Sequence, residues 1–172
     1  SAKTNVYVVG GAGKIFRYDG TTWSPQTSGV GNNLYDVSGV DATTLYAVGD
    51  TGTILKGDGT TWSAQISTTT RQLNGVFALD KTHIWAVGDN GTIVFNNGSS
   101  WTTQTSNTTT KLRGVHGSSA TNVWAVGDGG LTFRYDGTSW KPGPATAAYA
   151  LARVHVKDDQ TATIVGQAGT IF

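Results

Sequence analysis

Few residue types in this chain can carry chemistry. All 11 acids among its 172 residues are Asp, and Glu, Cys and Met are absent. Without Cys there is neither a disulfide framework nor a thiolate metal site. Three of the acids, Asp50, Asp89 and Asp128, each stand in a Gly-Asp-x-Gly run. A carboxylate there could hold a cation or a sugar hydroxyl. The reading adopted is a turn whose own backbone N–H groups the Asp accepts, because Asp and Gly are what such turns require. A calcium loop needs closely alternating oxygen ligands, Asp-x-Asp-x-Asp-Gly, and no such run occurs. His116 and His155 are 39 residues apart. Imidazole is a common metal ligand, but no third ligand accompanies the pair, so they are read as a channel lining. No metal or cofactor is expected. Glycoside hydrolysis ordinarily needs two carboxylates flanking the bond, and acyl transfer on a nucleophile elbow needs Gly-x-Ser-x-Gly. Neither pattern is evident, and catalysis is not expected.

What positions these residues is a repeat. Ile84–Trp101 reads IWAVGDNGTIVFNNGSSW, and close copies begin at Leu45 and Val123, with a looser one at Val6. The glycine after the apolar run recurs at Gly10, Gly49, Gly88, Gly127 and Gly166, a step of 39 residues, and Trp23, Trp62, Trp101 and Trp140 keep the same step. A fixed period of this size means a propeller, a solenoid or an array. Within each period the pattern is strand, Gly-bearing turn, strand, Asp-Gly or Asn-Gly turn, strand, and then a polar connection to a fourth strand. Four short antiparallel strands in about 40 residues make one propeller blade. Blades stack face to face, so a central strand is buried on both sides and reads as continuously apolar, as Ile-Trp-Ala-Val does. The expected fold is therefore an all-β propeller of four-stranded antiparallel blades, about four to five of them, with residues 1–172 as a single domain. We name the strand positions A to D from the centre outward.

The motifs WAVGDNGTI and YDGTTW resemble the repeats of bacterial secreted propellers of the BNR or Asp-box-like superfamily. That pattern is Ser-x-Asp-x-Gly-x-Thr-Trp. The run Asp58–Trp62 is one residue shorter, and Asn97 replaces Asp in the third copy. The resemblance implies the fold and the C–D turn. Sialidases of similar fold use three arginines with a Tyr/Glu pair; this chain lacks Glu, and Arg17, Arg71, Arg113, Arg134 and Arg153 match no such motif. A formal charge of +1 gives no basic footprint for nucleic acid. No apolar run is long enough to span a membrane. The Thr- and Gly-rich, sulfur-free composition points to an extracellular setting, and the resemblance implies a bacterial one.

Positions constant between repeats build the blade, and those that vary are free to recognise a ligand. The variable polar positions gather at the D–A connection and the start of strand A, in loops held by a rigid scaffold. The candidate ligand-binding residues are Tyr35, Asp36, Arg71, Asn74, Lys111, Arg113 and Arg153. The function expected is a secreted, non-catalytic binding module, with carbohydrate as the favoured ligand. The alternative is a structural or assembly protein with protein partners, and a glycosidase-like enzyme ranks last. The tryptophans are read as packing anchors. Residues 1–16 and 157–172 fall at the same repeat positions, so strand B is present twice. The chain is thus expected to be part of a longer propeller, to close a ring with other copies by exchanging terminal strands, or to form a ring with two incomplete blades.

Overall fold

The computed structural model describes residues 5–144 and 148–172. It contains 17 strands in five successive antiparallel sheets. The first has β1 (Val6–Val9), β2 (Ile15–Tyr18) and β3 (Trp23–Gln26), in positions B, C and D. Three complete blades follow. The second is β4 (Leu34–Asp41), β5 (Thr44–Gly49), β6 (Ile54–Gly57) and β7 (Trp62–Ala64). The third is β8 (Leu73–Asp80), β9 (His83–Gly88), β10 (Ile93–Asn96) and β11 (Trp101–Gln104). The fourth is β12 (Leu112–Ser119), β13 (Asn122–Gly127), β14 (Thr132–Tyr135) and β15 (Trp140–Pro142). The fifth has β16 (Leu151–Val156) and β17 (Ala162–Gly166), with an isolated bridge from Val165 to Ile171 where strand C begins. Pro25, which lacks an N–H, lies on the outermost strand of its sheet, where that donor is least needed. Among the described residues no helix is long and apolar enough to cross a membrane.

The B–C turns are tight. In blade 2, Thr51 and Gly52 both have positive φ, 52° and 73°, and Thr53 N–H bonds back to Asp50 C=O at 2.9 Å. Two left-handed central residues make a type I′ turn, whose twist matches that of the flanking strands. Glycine is needed at the second position for a further reason. A Cβ on Gly52 or Gly91 would lie 1.9 Å from the carbonyl oxygen of Thr69 or Thr108 in the D–A connection.

Apolar side chains sit between blades, and the packing has a direction. Tyr46, Val48 and Ile54 of blade 2 face forward onto Leu73, Val76, Ile84, Ala86 and Trp101 of blade 3. Trp85, Val87 and Ile93 of blade 3 pack in the same way on blade 4, including Val123, Ala125 and Trp140. Strand B thus gives alternate side chains to two different interfaces, which is why it is apolar throughout. The D-strand tryptophans of blades 2 to 4 reach back to the preceding blade. Trp62 meets Tyr7 edge-on at 5.9 Å and Trp101 meets Tyr46 at 5.8 Å. Trp140 Nε1 donates to Gln104 Oε1 at 2.7 Å. Trp23 has no preceding blade among the described residues and is 50% exposed, against 4% for Trp101.

The C–D turns explain the second Asp series. Asp58 Oδ1 accepts the N–H groups of Thr60 and Thr61 at 2.8 and 2.7 Å, and Asp19 and Asp136 repeat this. Asn97 does the same with Ser99 and Ser100, at 3.0 and 3.2 Å. These bonds favour the ionised form. Backbone N–H groups hold Asp19 and Asp58, and Lys141 with the backbone holds Asp136, well below the usual carboxylate range.

Two outcomes are expected. Trp101→Ala should cost about 3–5 kcal/mol in denaturant unfolding, as truncating a buried aromatic does, whereas Trp23→Ala should stay within about 1 kcal/mol. Equal losses would mean that the tryptophans act within their own blades. The second concerns acid. A depressed carboxylate stabilises the fold above its unfolded pKa, and that contribution is lost as pH falls toward the folded value. Asp58→Asn should therefore melt below the parent at neutral pH, with the gap closing below about pH 4. A gap independent of pH would rule out the charge as its source.

Candidate functional site

The A strands of successive blades run side by side, and their first residues form one rim of the array. Two backbone features build that rim. The first is a close approach. In blades 2 to 5 the carbonyl oxygen preceding strand A lies against the glycine that ends strand B. A Cβ on Gly49 would be 2.0 Å from Asn33 O; for Gly88, Gly127 and Gly166 the contacts are 2.0 Å to Gln72 O, 2.2 Å to Lys111 O and 2.5 Å to Ala150 O. The same four carbonyls accept the N–H of the next residue, Asp50, Asp89, Asp128 or Gln167, at 2.9–3.0 Å. These glycines have extended backbones, so the requirement is space and not φ.

The second feature is a bulge. Leu34 pairs with Gly49 and Asp36 with Val48, which leaves Tyr35 unpaired in the ladder. Asn74, Arg113 and Ala152 are left out in the same way in the next three blades. A bulge re-aims a side chain, and here it aims at the B–C turn of the same blade. Tyr35 OH donates to Asp50 Oδ1 at 2.8 Å, Asn74 Nδ2 donates to Asp89 Oδ1 at 3.0 Å, and Arg113 Nε donates to Asp128 Oδ1. This corrects the reading of the Gly-Asp-x-Gly carboxylates as caps of their own turns. They point to the bulge, and the N–H that closes each turn, from Thr53, Thr92 or Leu131, bonds the Asp carbonyl instead. Lys111 adds a tie between blades, with Nζ 3.0 Å from Asp89 Oδ1. Partial burial opposes ionisation of Asp89, but Asn74 and Lys111 outweigh it and hold the carboxyl below its ordinary value. The bond to Asp50 pushes the Tyr35 phenol up.

Five of the seven candidate residues come together. Tyr35, Asn74, Lys111, Arg113 and Arg153, joined by Gln72, line an open pocket of about 270 Å³ built from blades 2 to 5. Gln72 stands one period from Lys111, which is the signal that would have included it. Arg153 is exposed; its Nη1 donates to the carbonyls of Arg113 and Ala152, both at 3.1 Å. Among the described residues no carboxylate forms an ion pair with it. Asp36 and Arg71 lie outside this lining. Asp36 is directed along the stack of A strands, where Oδ2 accepts Val76 N–H at 2.9 Å, and burial pushes its carboxyl up. Arg71 is exposed in the D–A connection.

Farther along the A strands, Ser38 Oγ accepts Ala78 N–H and His116 Nδ1 accepts Val156 N–H, both at 3.1 Å. Ring centroids are 4.5 Å apart for Phe77 and His116 and again for His116 and His155. Burial, with His155 alongside, holds His116 below the usual imidazole value. The two histidine rings pack against each other at a tilt on adjacent A strands.

No protein-family profile matches the chain, and no curated protein matches it in sequence. Solved structures do match in shape. YCF48 bound to D1 peptide superimposes with a TM-score of 0.76 at 16% identity, covering 98% of this chain and 59% of that one. YCF48 from Cyanidioschyzon merolae gives 0.75 at 19%, covering 98% and 65%. The β-propeller domain of Myceliophteria thermophila Cps50 (Swd1) gives 0.70 at 9%, covering 96% and 62%. The chain thus spans about three fifths of the length of these structures, and at such identities the likeness establishes the fold: a β-propeller repeat array.

Proposed function

We propose that this chain is a non-catalytic interaction module that binds a protein segment, with carboxylate groups on the ligand meeting the strand-A rim. The observation that carries this reading is the convergence of Tyr35, Asn74, Lys111, Arg113 and Arg153 from four blades on one pocket, with the Arg153 guanidinium paired only to neutral carbonyls. Guanidinium groups bind carboxylates through strong, often bidentate hydrogen bonds. Lys111 and Arg113, held by Asp89 and Asp128, supply further positive charge at fixed positions. A neighbour in shape, YCF48, has been solved with a peptide bound, which lends support to a protein partner over the carbohydrate favoured from composition. The lack of Glu and of a nucleophile elbow supports a non-catalytic role. The Asp-box-like C–D turns and the sulfur-free composition accord with a BNR-like, extracellular and bacterial origin.

The test is a peptide array of extended sequences graded in net charge, run beside a glycan array. Acidic peptides should bind, and binding should weaken as salt rises. Arg153→Ala should reduce affinity by roughly tenfold or more, in line with about 1.5–3 kcal/mol for a hydrogen bond to a charged group, without lowering the melting temperature. Glycan binding with no peptide binding would reinstate the carbohydrate reading.

A further inference from the structure

We propose that the bond from Val156 N–H to His116 Nδ1 is a proton-operated latch between blades 4 and 5, closed at neutral pH and opened when the imidazole is protonated. The bond is 3.1 Å long and joins neighbouring A strands, β12 and β16. A ring nitrogen that accepts a backbone N–H carries no proton, so the neutral ring bonded here is the tautomer with its hydrogen on Nε2. Protonation makes both ring nitrogens donors. Nδ1–H would then face Val156 N–H, donor against donor, and the ring or the strand must move. Val156 is only 2% exposed, so water is a poor substitute acceptor.

The repeat itself supplies the comparison. Ser38, Phe77 and His116 stand one period apart. Ser38 Oγ accepts Ala78 N–H at 3.1 Å, the same link between blades 2 and 3. Phe77 has no acceptor to offer between blades 3 and 4. One seam is thus tied at this level by a group that does not titrate near neutrality, and another by the side chain whose ordinary pKa falls there. The rings that face His116 are His155 of β16 and Phe77 of β8, each with its centroid 4.5 Å away, and the ladder partner on β13 is Trp124. Of these only His155 titrates. Burial, and then the charge of His155, oppose protonation of His116. Among the described residues no carboxylate pairs with either ring.

The latch bears on the rim pocket. The strand that carries Val156 also brings Ala152 and Arg153 into that pocket. Arg153 Nη1 reaches across the same seam to Arg113 O at 3.1 Å, and farther along Ser118 Oγ donates to Asp159 Oδ1 at 3.2 Å. The His116 tie falls between these two in the sequence of both strands. Opening it frees β16 to shift, and Arg153 with it. Resting on the reading of the rim as a carboxylate-binding site, acid should therefore weaken binding there.

Amide exchange followed by NMR in the full chain gives the direct readout. A depressed imidazole stabilises the closed form above about pH 6.5, and that contribution is lost as pH falls through the folded value. Val156 N–H, corrected for intrinsic exchange, should lose protection at least about tenfold as the His116 ring signals titrate, while Ala78 N–H keeps its own. His116→Ser installs the side chain of Ser38 and should keep Val156 protected on both sides of the titration. His116→Phe installs that of Phe77 and should leave it unprotected on both. The parent titration needs no variant, so it stands if either folds poorly. An oligo-aspartate peptide should lose affinity for the parent more steeply with acid than for His116→Ser, a comparison that cancels the peptide's own titration. If the peptide binds neither protein at any pH, the rim reading fails and exchange alone decides the latch. Equal steepness in the two proteins would overturn the coupling to the rim. Val156 protection that ignores the His116 titration, or falls as much in His116→Ser, would overturn the latch.

Discussion

Much of this architecture turns on one close contact: the carbonyl that precedes strand A, set against a glycine α-carbon at the end of strand B. The same oxygen accepts the N–H of the next residue, at 3.0 Å in the Asn33–Asp50 case. A side chain at Gly49, Gly88 or Gly127 would collide with that oxygen at 2.0–2.2 Å and push the two segments apart. The contact joins the D–A connection to the B–C turn in every complete blade. In the same turns the closing N–H bonds the Asp carbonyl, and the carboxylate meets the bulged residue of strand A. A backbone constraint thereby becomes a polar rim.

This division lets the rim vary while the blade stays constant. Tyr35, Asn74, Arg113 and Ala152 occupy one structural position but present a phenol, an amide, a guanidinium and a methyl group. None of them joins the apolar clusters between blades, although Asn74 is buried and its Nδ2 also donates to the Leu112 carbonyl of the next blade at 2.8 Å. The interfaces beneath use alternate residues of strand B, and these keep similar volumes from blade to blade.

The fold was legible because each interface is written several times. The registered glycines and tryptophans defined blade, turn and strand without any single window having to carry the assignment. The site was legible mainly as departure from the repeat, and that signal does not distinguish a free side chain from one bonded to a neighbouring blade. Asp36 shows the limit: it varies between repeats, yet it is bonded to Val76 N–H. The bonds along the A strands have their own spacing, a period plus one. Asp36 to Val76, Ser38 to Ala78 and His116 to Val156 each span 40 residues, an offset that the 39-residue alignment hides. The B–C carboxylates were misassigned for a related reason. The local Asp-Gly pattern suggested a self-capped turn, and the donor that the carboxylate actually meets comes from 15 residues earlier in the chain.

The backward reach of the tryptophans gives the array a polarity that bears on its biosynthesis. Trp62 and Trp101 each insert against an aromatic residue of the blade made before their own, Tyr7 and Tyr46. A blade emerging from the ribosome therefore brings its own anchor and finds the receptor already translated. Repeat arrays fold by adding neighbours, and synthesis delivers the N-terminal units first. An anchor that reached forward would leave a bare indole waiting for a blade not yet made. Reaching backward, Trp62 and Trp101 are withdrawn from water as soon as their strands are complete, whereas the forward-facing Trp85 is covered only when blade 4 follows.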